Sequence, residues 1–331
     1  MFRLAPPQAT GRAQAGISLI EVMISMTLGL LVLAAMTTVF VNNSQSRREL
    51  NNAATQLENG RYALQILKDE LSMAGFYDAL ANLTTGAKTA SPCSSTVADW
   101  SDSMVVAVEG VNSGSFDCIK SARANTGMIF VQRASTSEQA AAALDDTDQG
   151  RAFLQVQMCG TQYDAGNRMV LKSHDVAQAP TAEFTMQTKK CDGTQSPLRE
   201  YVRRVFFIGE SNGTPVLRRA DVRSNGVLAV QDLVEGIEDL HFEYAIDTNS
   251  NGSADLFTEN PTADQMDDIV GVRVWLIARS LLPTPGYAET KTFQLGTKDA
   301  GAIDGLLPAG YKRHVFSTYI ELVHPVARRE R

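Results

Sequence analysis

A long apolar run near the start of the chain constrains the fold more than any other feature. Residues 17–41, ISLIEVMISMTLGLLVLAAMTTVFV, hold one charged side chain, Glu21. As an α-helix this run spans roughly 37 Å, which exceeds the bilayer hydrocarbon core of about 30 Å. We therefore predict that residues 17–41 form a membrane-spanning helix.

The charges around the run predict its orientation. Residues 1–16 contain Arg3 and Arg12 and no acidic residue, whereas the whole chain has a formal net charge of −7. Positive charge ahead of a span favours a cytoplasmic N-terminus, so the rest of the chain should lie outside the cytoplasm. A simple signal anchor fits these facts. A cleaved secretory signal fits poorly, because the run is too long and no small-x-small site follows it.

Neither of these interpretations explains Glu21, because a carboxylate inside an apolar span costs a few kcal/mol and normally has a function. The residues around it, GISLIE from Gly16 to Glu21, resemble the type IV prepilin processing motif. The resemblance implies that a prepilin peptidase removes residues 1–16 as a leader, cutting between Gly16 and Ile17, and methylates the new amine of Ile17. Most members of that family have phenylalanine where this chain has Ile17.

The resemblance also implies a role for Glu21 in filament assembly. In a bundle of apolar helices, its carboxylate can neutralise the N-terminal ammonium of a neighbouring subunit. Either charge would be expensive to bury without the other.

A helical pattern continues beyond the span. Leucine recurs every seven residues and alanine and leucine extend the same stripe: Leu50, Ala54, Leu57, Leu64, Leu67, Leu71 and Ala74. We predict an amphipathic half of the same helix over residues 42–76, with Gly75 near its end. The stripe suits a coiled coil or packing on the protein's own sheet, and we favour the sheet.

The remaining residues, 77–331, have the pattern of short strands separated by turns. We predict strands over residues 104–109, 128–133, 153–158, 169–172, 202–208, 216–219, 227–233, 237–246, 269–278, 290–295 and 314–323, and a short helix over 138–144. Alternation such as Leu240, Phe242 and Tyr244 is typical of half-buried antiparallel strands. The predicted class is α+β, with a long N-terminal helix packed on a mainly antiparallel sheet. Whether residues 80–200 form a separate subdomain stays open.

Four cysteines lie beyond the apolar run: Cys93, Cys118, Cys159 and Cys191. An even number suits two disulfides in an oxidising compartment, with three possible connectivities. We favour Cys93–Cys118 and Cys159–Cys191, because each pair closes a local loop. The four histidines are scattered and there is no CxxC, so we predict no zinc site.

The C-terminal half resembles the PilW-like minor pilins in four stretches, residues 202–219, 233–255, 272–280 and 310–325. The N-terminal helix and this half together resemble a pilin-like lollipop fold. The resemblance implies a low-abundance subunit of a type IV pilus that helps to initiate assembly, near the filament tip. It implies that the chain crosses the inner membrane once, with its β-rich domain in the periplasm. Once the subunit is incorporated into the pilus, it lies at the cell surface. Implied partners are prepilin peptidase, other minor pilins, the major pilin, the inner-membrane assembly platform and lipid. A minor pseudopilin of type II secretion, or a membrane-anchored adhesin or enzyme, remains an alternative.

One segment matches a catalytic pattern. Residues 209–213, GESNG, satisfy GxSxG, but an apparent strand follows them, whereas a nucleophile elbow needs a helix there. We predict a hairpin turn at Asn212 and Gly213 and no enzymatic activity. The basic segments 312–314 and 327–331 are interpreted as solvated, and the acidic balance gives no reason to expect a nucleic-acid partner.

One segment resembles the front of a calcium loop. Oxygen-bearing side chains alternate at Asp247, Asn249, Asn251 and Asp255, with Gly252 at the sixth position. The twelfth position is Thr258, and Glu259 comes one residue late. Calcium is therefore the one cofactor that the sequence suggests. Its site would bind weakly, and Glu259 would have to complete it. An Asx turn between two strands explains the same residues and is favoured.

Overall fold

The first structural unit is the helical N-terminal part of the chain. In a computed structural model, the structure describes residues 16–80, 83, 89–166, 168–175, 177, 180–226, 228–301 and 308–329. The leader predicted over 1–16 therefore lies outside them except for Gly16. Helix α1 (Leu19–Ser72) is 54 residues long, and the chain divides into two compact units between Asn51 and Asn52. Residues 19–51 of α1 are the first unit, and residues 52–72 belong to the second.

The second unit is rich in β-structure. The shorter helices are α2 (Val97–Asp102), α3 (Gly160–Asp164), α4 (Pro180–Glu183) and α5 (Val323–Arg329). The strands are β1 (Val108–Val111), β2 (Met128–Ala134), β3 (Ala152–Val156), β4 (Met169–Ser173), β5 (Leu198–Ser211), β6 (Thr214–Val222), β7 (Leu228–Glu235), β8 (Ile237–Ile246), β9 (Leu256–Thr258), β10 (Ile269–Arg279), β11 (Thr292–Leu295), β12 (Lys298–Gly301) and β13 (Arg313–Glu321). The predicted α+β class with mainly antiparallel strands is confirmed.

A seven-stranded sheet is organised around β5. Its path runs β1-β2-β5-β3-β4, and β6 joins β5 while carrying β7 on its other edge. Strands β2 and β3 both pair with Tyr201, so they lie on opposite edges of β5. Strands from residues 80–200 thus flank β5, and this part of the chain extends one sheet with the later strands.

A four-stranded sheet in the order β13-β10-β8-β9 and the small hairpin β11-β12 complete the β-structure of the described residues. All of their pairings are antiparallel. In β8, Leu240, Phe242 and Tyr244 are buried in the main core as predicted. The half-buried alternation predicted for this strand was wrong, because the intervening Asp239 and His241 are buried as well.

Several of the predicted elements differ in the structure. Residues 104–107 are not a strand, because the side-chain amide of Gln132 donates to the carbonyls of Ser103 and Val106 at 2.7 Å each and replaces a strand partner there. The helix predicted over 138–144 is only a 3-10 turn at Ala141–Ala143. The last strand stops at Glu321, because α5 begins at Val323 with Pro325 in its first turn, where a missing N–H costs nothing.

The main core is shared by α1 and both larger sheets. The buried face of α1 consists of Gln56, Gly60, Ala63, Leu67 and Leu71, followed by Ala74. These spacings of three and four residues follow the 3.6-residue helical period. The predicted packing on the protein's own sheet is confirmed.

The predicted seven-residue stripe was wrong in its first half. Leu50 is 69% exposed and Leu57 is 38% exposed, while Leu64 is only partly buried. A strict period of seven drifts around a straight helix, so the leucines rotate away from the face that meets the core.

Small and polar residues position α1 on the sheets. A Cβ on Gly60 would lie 2.2 Å from the ring of Phe316, so glycine permits the close approach to β13. Gln56 donates to the carbonyls of Ala278 at 2.7 Å and Lys312 at 3.0 Å. Further along the helix, Glu70 forms ion pairs with arginines of β2 and β5. The polar groups fix the rotation and register of the helix, whose apolar face supplies most of the burial.

The two larger sheets meet at backbone level on the edge of β8. Gly127 donates its N–H to the carbonyl of Leu240 at 2.8 Å. The Asn112 side chain donates to the carbonyl of Phe242 at 2.7 Å and accepts from its N–H at 2.8 Å, as a neighbouring strand would. These bonds satisfy an edge that β9 covers only at Tyr244 to Ile246.

Both predicted disulfides are confirmed. Cys93 is bonded to Cys118, and Cys159 is bonded to Cys191. Each closes a loop that leads into or out of the seven-stranded sheet, so they restrain the part of the chain with the least regular structure.

We predict that Gly127→Ala lowers the free energy of unfolding by about 1–3 kcal/mol, because overpacking a tight contact costs this much. An added Cβ would lie 2.6 Å from the carbonyl oxygen of Leu240, which is backbone and cannot rotate away. Thermal unfolding of the detergent-solubilised chain measures the effect. Gly160→Ala is the matched control, since nothing lies within 4 Å of its added Cβ. Equal unfolding midpoints for the two variants would contradict the prediction.

Candidate functional site: the N-terminal motif and helix

The N-terminal motif lies where the chain enters α1. Gly16, Ile17 and Ser18 are not helical, and the carbonyl of Ser18 accepts from the N–H groups of Glu21 at 3.0 Å and Val22 at 3.2 Å. The peptide bond between Gly16 and Ile17 is therefore exposed and outside helical hydrogen bonding. A peptidase needs an accessible bond outside a helix, and the predicted cleavage position is accessible and non-helical.

The first part of α1 is long and apolar enough to cross a membrane. From Leu19 to Val41 it extends about 34 Å at 1.5 Å per residue, a little more than a bilayer core. Its apolar side chains are exposed on all sides rather than along one stripe, as Ile20, Leu30 and Phe40 show. Such a surface requires lipid or other apolar helices around it.

Glu21 lies in the first turn of α1. A carboxylate there is favoured by the N–H groups exposed at a helix N-terminus. Among the described residues, no side chain forms an ion pair with the Glu21 carboxylate. The Ser25 hydroxyl donates to the backbone carbonyl of Glu21 at 2.7 Å and does not contact the carboxylate. The carboxylate is thus free to meet a positive charge outside this chain.

The segment that matched a catalytic pattern is a two-residue hairpin. Strand β5 ends at Ser211 and β6 begins at Thr214. Asn212 and Gly213 both have positive φ, +50° and +78°, as a type I′ turn requires. The predicted turn is confirmed, and the strand-to-helix geometry of a nucleophile elbow is not what these residues form.

The predicted calcium loop is a tight Asx-rich turn after β8. The carboxylate of Asp247 accepts from the backbone N–H groups of Asn249, Asn251 and Gly252 at 3.2, 3.3 and 2.9 Å. Asp255 accepts from Thr248 and from the side chain of Asn249. The turn brings four of the five proposed ligands together and satisfies their oxygens internally.

Glu259, the fifth proposed ligand, points elsewhere. Its carboxylate accepts from the N–H and hydroxyl of Thr297 and lies 3.0 Å from Nε2 of His241. In the part of the chain that the structure describes, no group of three or more histidine, cysteine or acidic side chains is arranged to hold a metal ion. The idea that Glu259 completes a calcium site has no support in this geometry.

A cation from the protein itself lies at the loop. Arg329 of α5 is 3.6 Å from Asp247 and also pairs with Asp268. Burial disfavours the charged form of Asp247, but the backbone N–H groups of the turn, together with Arg329, lower the pKa of Asp247 below its ordinary value. The carboxylate is therefore ionised at neutral pH and neutralised by the C-terminal helix.

Of the two interpretations of this loop, the Asx turn is favoured, and calcium binding stays the alternative prediction from the sequence. The loop should bind only weakly, with a Kd of about a millimolar, because no bidentate carboxylate stands at the twelfth position. Calorimetric titration of the full chain with calcium chloride measures it. Arg329→Gln should tighten binding, since it removes the competing cation, and Asp255→Asn should abolish it. No heat and no thermal shift at millimolar calcium would contradict the prediction.

The interpretation of the basic segments as solvated was wrong for their described arginines. Arg313 is buried and pairs with Glu238 at 2.6 Å. Arg328 donates to the carbonyl of Gly75 at 2.7 Å and covers the ring of Tyr77. Arg328 thus ties α5 to the turn that follows α1, and Glu330 and Arg331 lie outside the described residues.

Sequence reasoning missed a buried charge cluster around Glu238. Its carboxylate is fully buried beside Arg313, with Arg123 and Arg279 each 3.7 Å away. The signal was present, because Glu238 stands two residues before Leu240, at an inward position of the strand. A charge at such a position needs buried partners, although the sequence does not say which.

An apolar helix that follows a GISLIE motif and leads into an antiparallel domain is the architecture of type IV pilin-like proteins. Two family models match the chain: type IV pilus-assembly protein W (PilW) over residues 205–323, and the prokaryotic N-terminal methylation motif over residues 11–37. No curated protein and no solved structure matches it. The two family matches support a type IV pilus minor pilin-like protein.

The two matches fall on separate parts of the fold. The methylation motif covers Gly16, Ile17 and Glu21 and continues into α1. The PilW match begins within β5, includes the whole four-stranded sheet and ends at the first residue of α5. The resemblance that the sequence suggested is confirmed in both regions.

Proposed function

We propose that this chain is a minor pilin that prepilin peptidase processes and that helps to initiate type IV pilus assembly near the filament tip. The observation that carries the proposal is the methylation motif at the head of an uncovered apolar helix, in the same chain as a PilW-like sheet. The motif supports processing, and the helix supports insertion among other apolar helices. The sheet distinguishes this subunit from other proteins that share the motif.

The proposed site of action is the inner membrane, with the β-rich unit in the periplasm. The arginines ahead of the apolar run and the two disulfides support this orientation, because disulfides persist in oxidising compartments. From there the subunit enters the pilus through contacts with the assembly platform, the major pilin and other minor pilins. The role is structural, and no cofactor or nucleic acid takes part in it.

We expect the mature chain to begin at Ile17 with a methylated amine. Gly16→Trp should block cleavage and leave residues 1–16 attached, because a bulky side chain would stand at the cleaved bond. Intact-mass measurement and N-terminal sequencing of the membrane-extracted protein detect both changes. A mature N-terminus at any other residue would overturn the processing step.

Glu21 is proposed to neutralise the N-terminal ammonium of a neighbouring subunit during insertion. This ion pair requires a negative charge at residue 21. Both Glu21→Ala and Glu21→Gln should therefore prevent incorporation into filaments while leaving the protein in the membrane. Immunoblotting of sheared pili against membranes measures incorporation. Ser25→Ala is the matched control, because its hydroxyl contacts only the backbone of its own helix. Normal incorporation of the Glu21 variants would contradict this role of Glu21. Absence of the wild-type chain itself from sheared pili would favour an anchored adhesin or enzyme.

A chromosomal deletion distinguishes the pilus from the secretion alternative. We expect loss of surface pili and of twitching with normal exoprotein secretion, restored by the wild-type chain. Loss of secretion with normal piliation would identify a minor pseudopilin instead. Overexpression of the major pilin in the deletion strain tests initiation. If the subunit initiates assembly, its loss should reduce the number of filaments, and the filaments that form should have an unchanged content of major pilin.

A further inference from the structure

A gap in the seven-stranded sheet forms a cleft on one edge of β5. Strand β3 pairs with β5 only up to Tyr201, and β6 pairs with it only from Arg204. Strands β6 and β3 lie on the same edge, opposite β2, so residues 202 and 203 face no strand there. The opening has a volume of about 300 Å³.

The two walls of the cleft are tied together at its outer end. Gly150 precedes β3, and its carbonyl accepts from the hydroxyl of Ser224 at 2.8 Å and from the Ser224 N–H at 3.3 Å. Ser224 follows β6. The cleft therefore lies between two strands, β3 and β6, whose neighbouring residues are hydrogen-bonded to each other at one end.

Arginine dominates the lining of the cleft. Five arginines line it: Arg151, Arg203, Arg204, Arg219 and Arg223. The acidic side chains of the lining are Glu200 and Asp221, while Asp148 and Glu70 pair with Arg151 and Arg204 from beyond it. Arg151, Arg204 and Arg219 each form an ion pair with an acidic side chain, whereas Arg203 and Arg223 form none among the described residues.

Several arginine donors in the cleft have no acceptor. The Nε groups of Arg151 and Arg203 are buried and form no hydrogen bond, whereas Nε of Arg219 lies 3.2 Å from the carboxylate of Asp221. Arg223 is half-buried, and its guanidinium has no hydrogen-bond or ion-pair partner among the described residues. Buried donors of this kind are costly unless an acceptor is supplied, and an oxyanion supplies several.

Arg203 is held rigidly beneath the opening. Its guanidinium lies over the rings of Trp100 and Phe130 and donates to the carbonyls of Ala90, Ser91 and Ser94. Burial lowers the pKa of Arg203 to about 10, so it stays protonated at neutral pH. The positive charge is therefore permanent and in a fixed place.

We propose that this cleft binds the phosphate group of a small phosphorylated molecule, or the free phosphate ion. A guanidinium group can donate two parallel hydrogen bonds to two oxygens of one phosphate. A volume of about 300 Å³ lies at the lower end of the range for small-molecule binding sites. A duplex or a folded protein could not enter so small an opening. Arg223 is the principal ligand, because it is the arginine whose charge nothing else in the described chain satisfies.

The test uses the full chain in detergent micelles. Inorganic phosphate and glucose 6-phosphate are titrated separately by calorimetry and by thermal shift, against sodium chloride of equal ionic strength. We expect both probes to bind and to raise the unfolding midpoint above the chloride value. Tighter binding of glucose 6-phosphate identifies an organic ester as the ligand, and equal affinities identify the free ion.

Variants locate the site. Arg223→Gln should weaken phosphate binding at least about tenfold, and Arg223→Lys should weaken it less, since a point charge remains. Arg218→Gln is the matched control, because Arg218 lies in β6, shortly before Arg223, but pairs with Asp232 away from the cleft. The unfolding midpoint without ligand shows that each variant is folded. No stabilisation beyond chloride, or equal binding by Arg223→Gln and wild type, overturns the proposal.

Discussion

The packing of the second half of α1 against both larger sheets is the interaction on which the β-rich unit depends. Leu67 and Leu71 are completely buried in a cluster that also holds residues of both sheets. Each such leucine contributes about 2–3 kcal/mol by its removal from water. Without this helix face, the residues of both sheets that share the cluster with it would lose part of their cover from solvent.

The same helix continues as the apolar segment that leads to the motif, so folding and assembly use one element for two purposes. Residues 52–72 obtain their partners from their own chain. Residues 19–41 are exposed in this structure and obtain partners only from lipid or from other helices. The physical difference lies in composition, since the first set has one apolar face and the second is apolar all round.

Charge is used sparingly inside the unit and always in groups. Glu238 is buried among three arginines, and Glu70 joins α1 to β2 and β5. Buried ion pairs add little net stability, because desolvation offsets much of their attraction, but a missing partner is expensive. Such clusters therefore select one arrangement of the strands. The cleft beside β5 differs, because its Arg203 and Arg223 form no ion pair with an acidic side chain among the described residues.

Patterns of two and 3.6 residues were enough to predict the class, the span, most strands of the second half and the Asn212–Gly213 hairpin, because these depend on neighbours in sequence. They failed for residues 104–107, where the Gln132 side chain replaces a strand, and for Leu50 and Leu57, which a seven-residue stripe placed on the wrong face. In the first case a side chain distant in sequence decided the outcome, and in the second the drift of a seven-residue repeat around the helix did.

The sequence by itself determined the motif at Gly16 and Ile17, the apolar segment with Glu21, and the local disulfide loops, since each is a property of adjacent or nearby residues. Only the tertiary structure decided that residues 80–200 extend the sheet of β5, that Glu259 pairs with His241, and that Arg329 pairs with Asp247. The gap beside Arg203 and the unsatisfied Arg223 also appear only there. Strand order and charge pairing depend on contacts between residues far apart in the chain, and no local pattern encodes them.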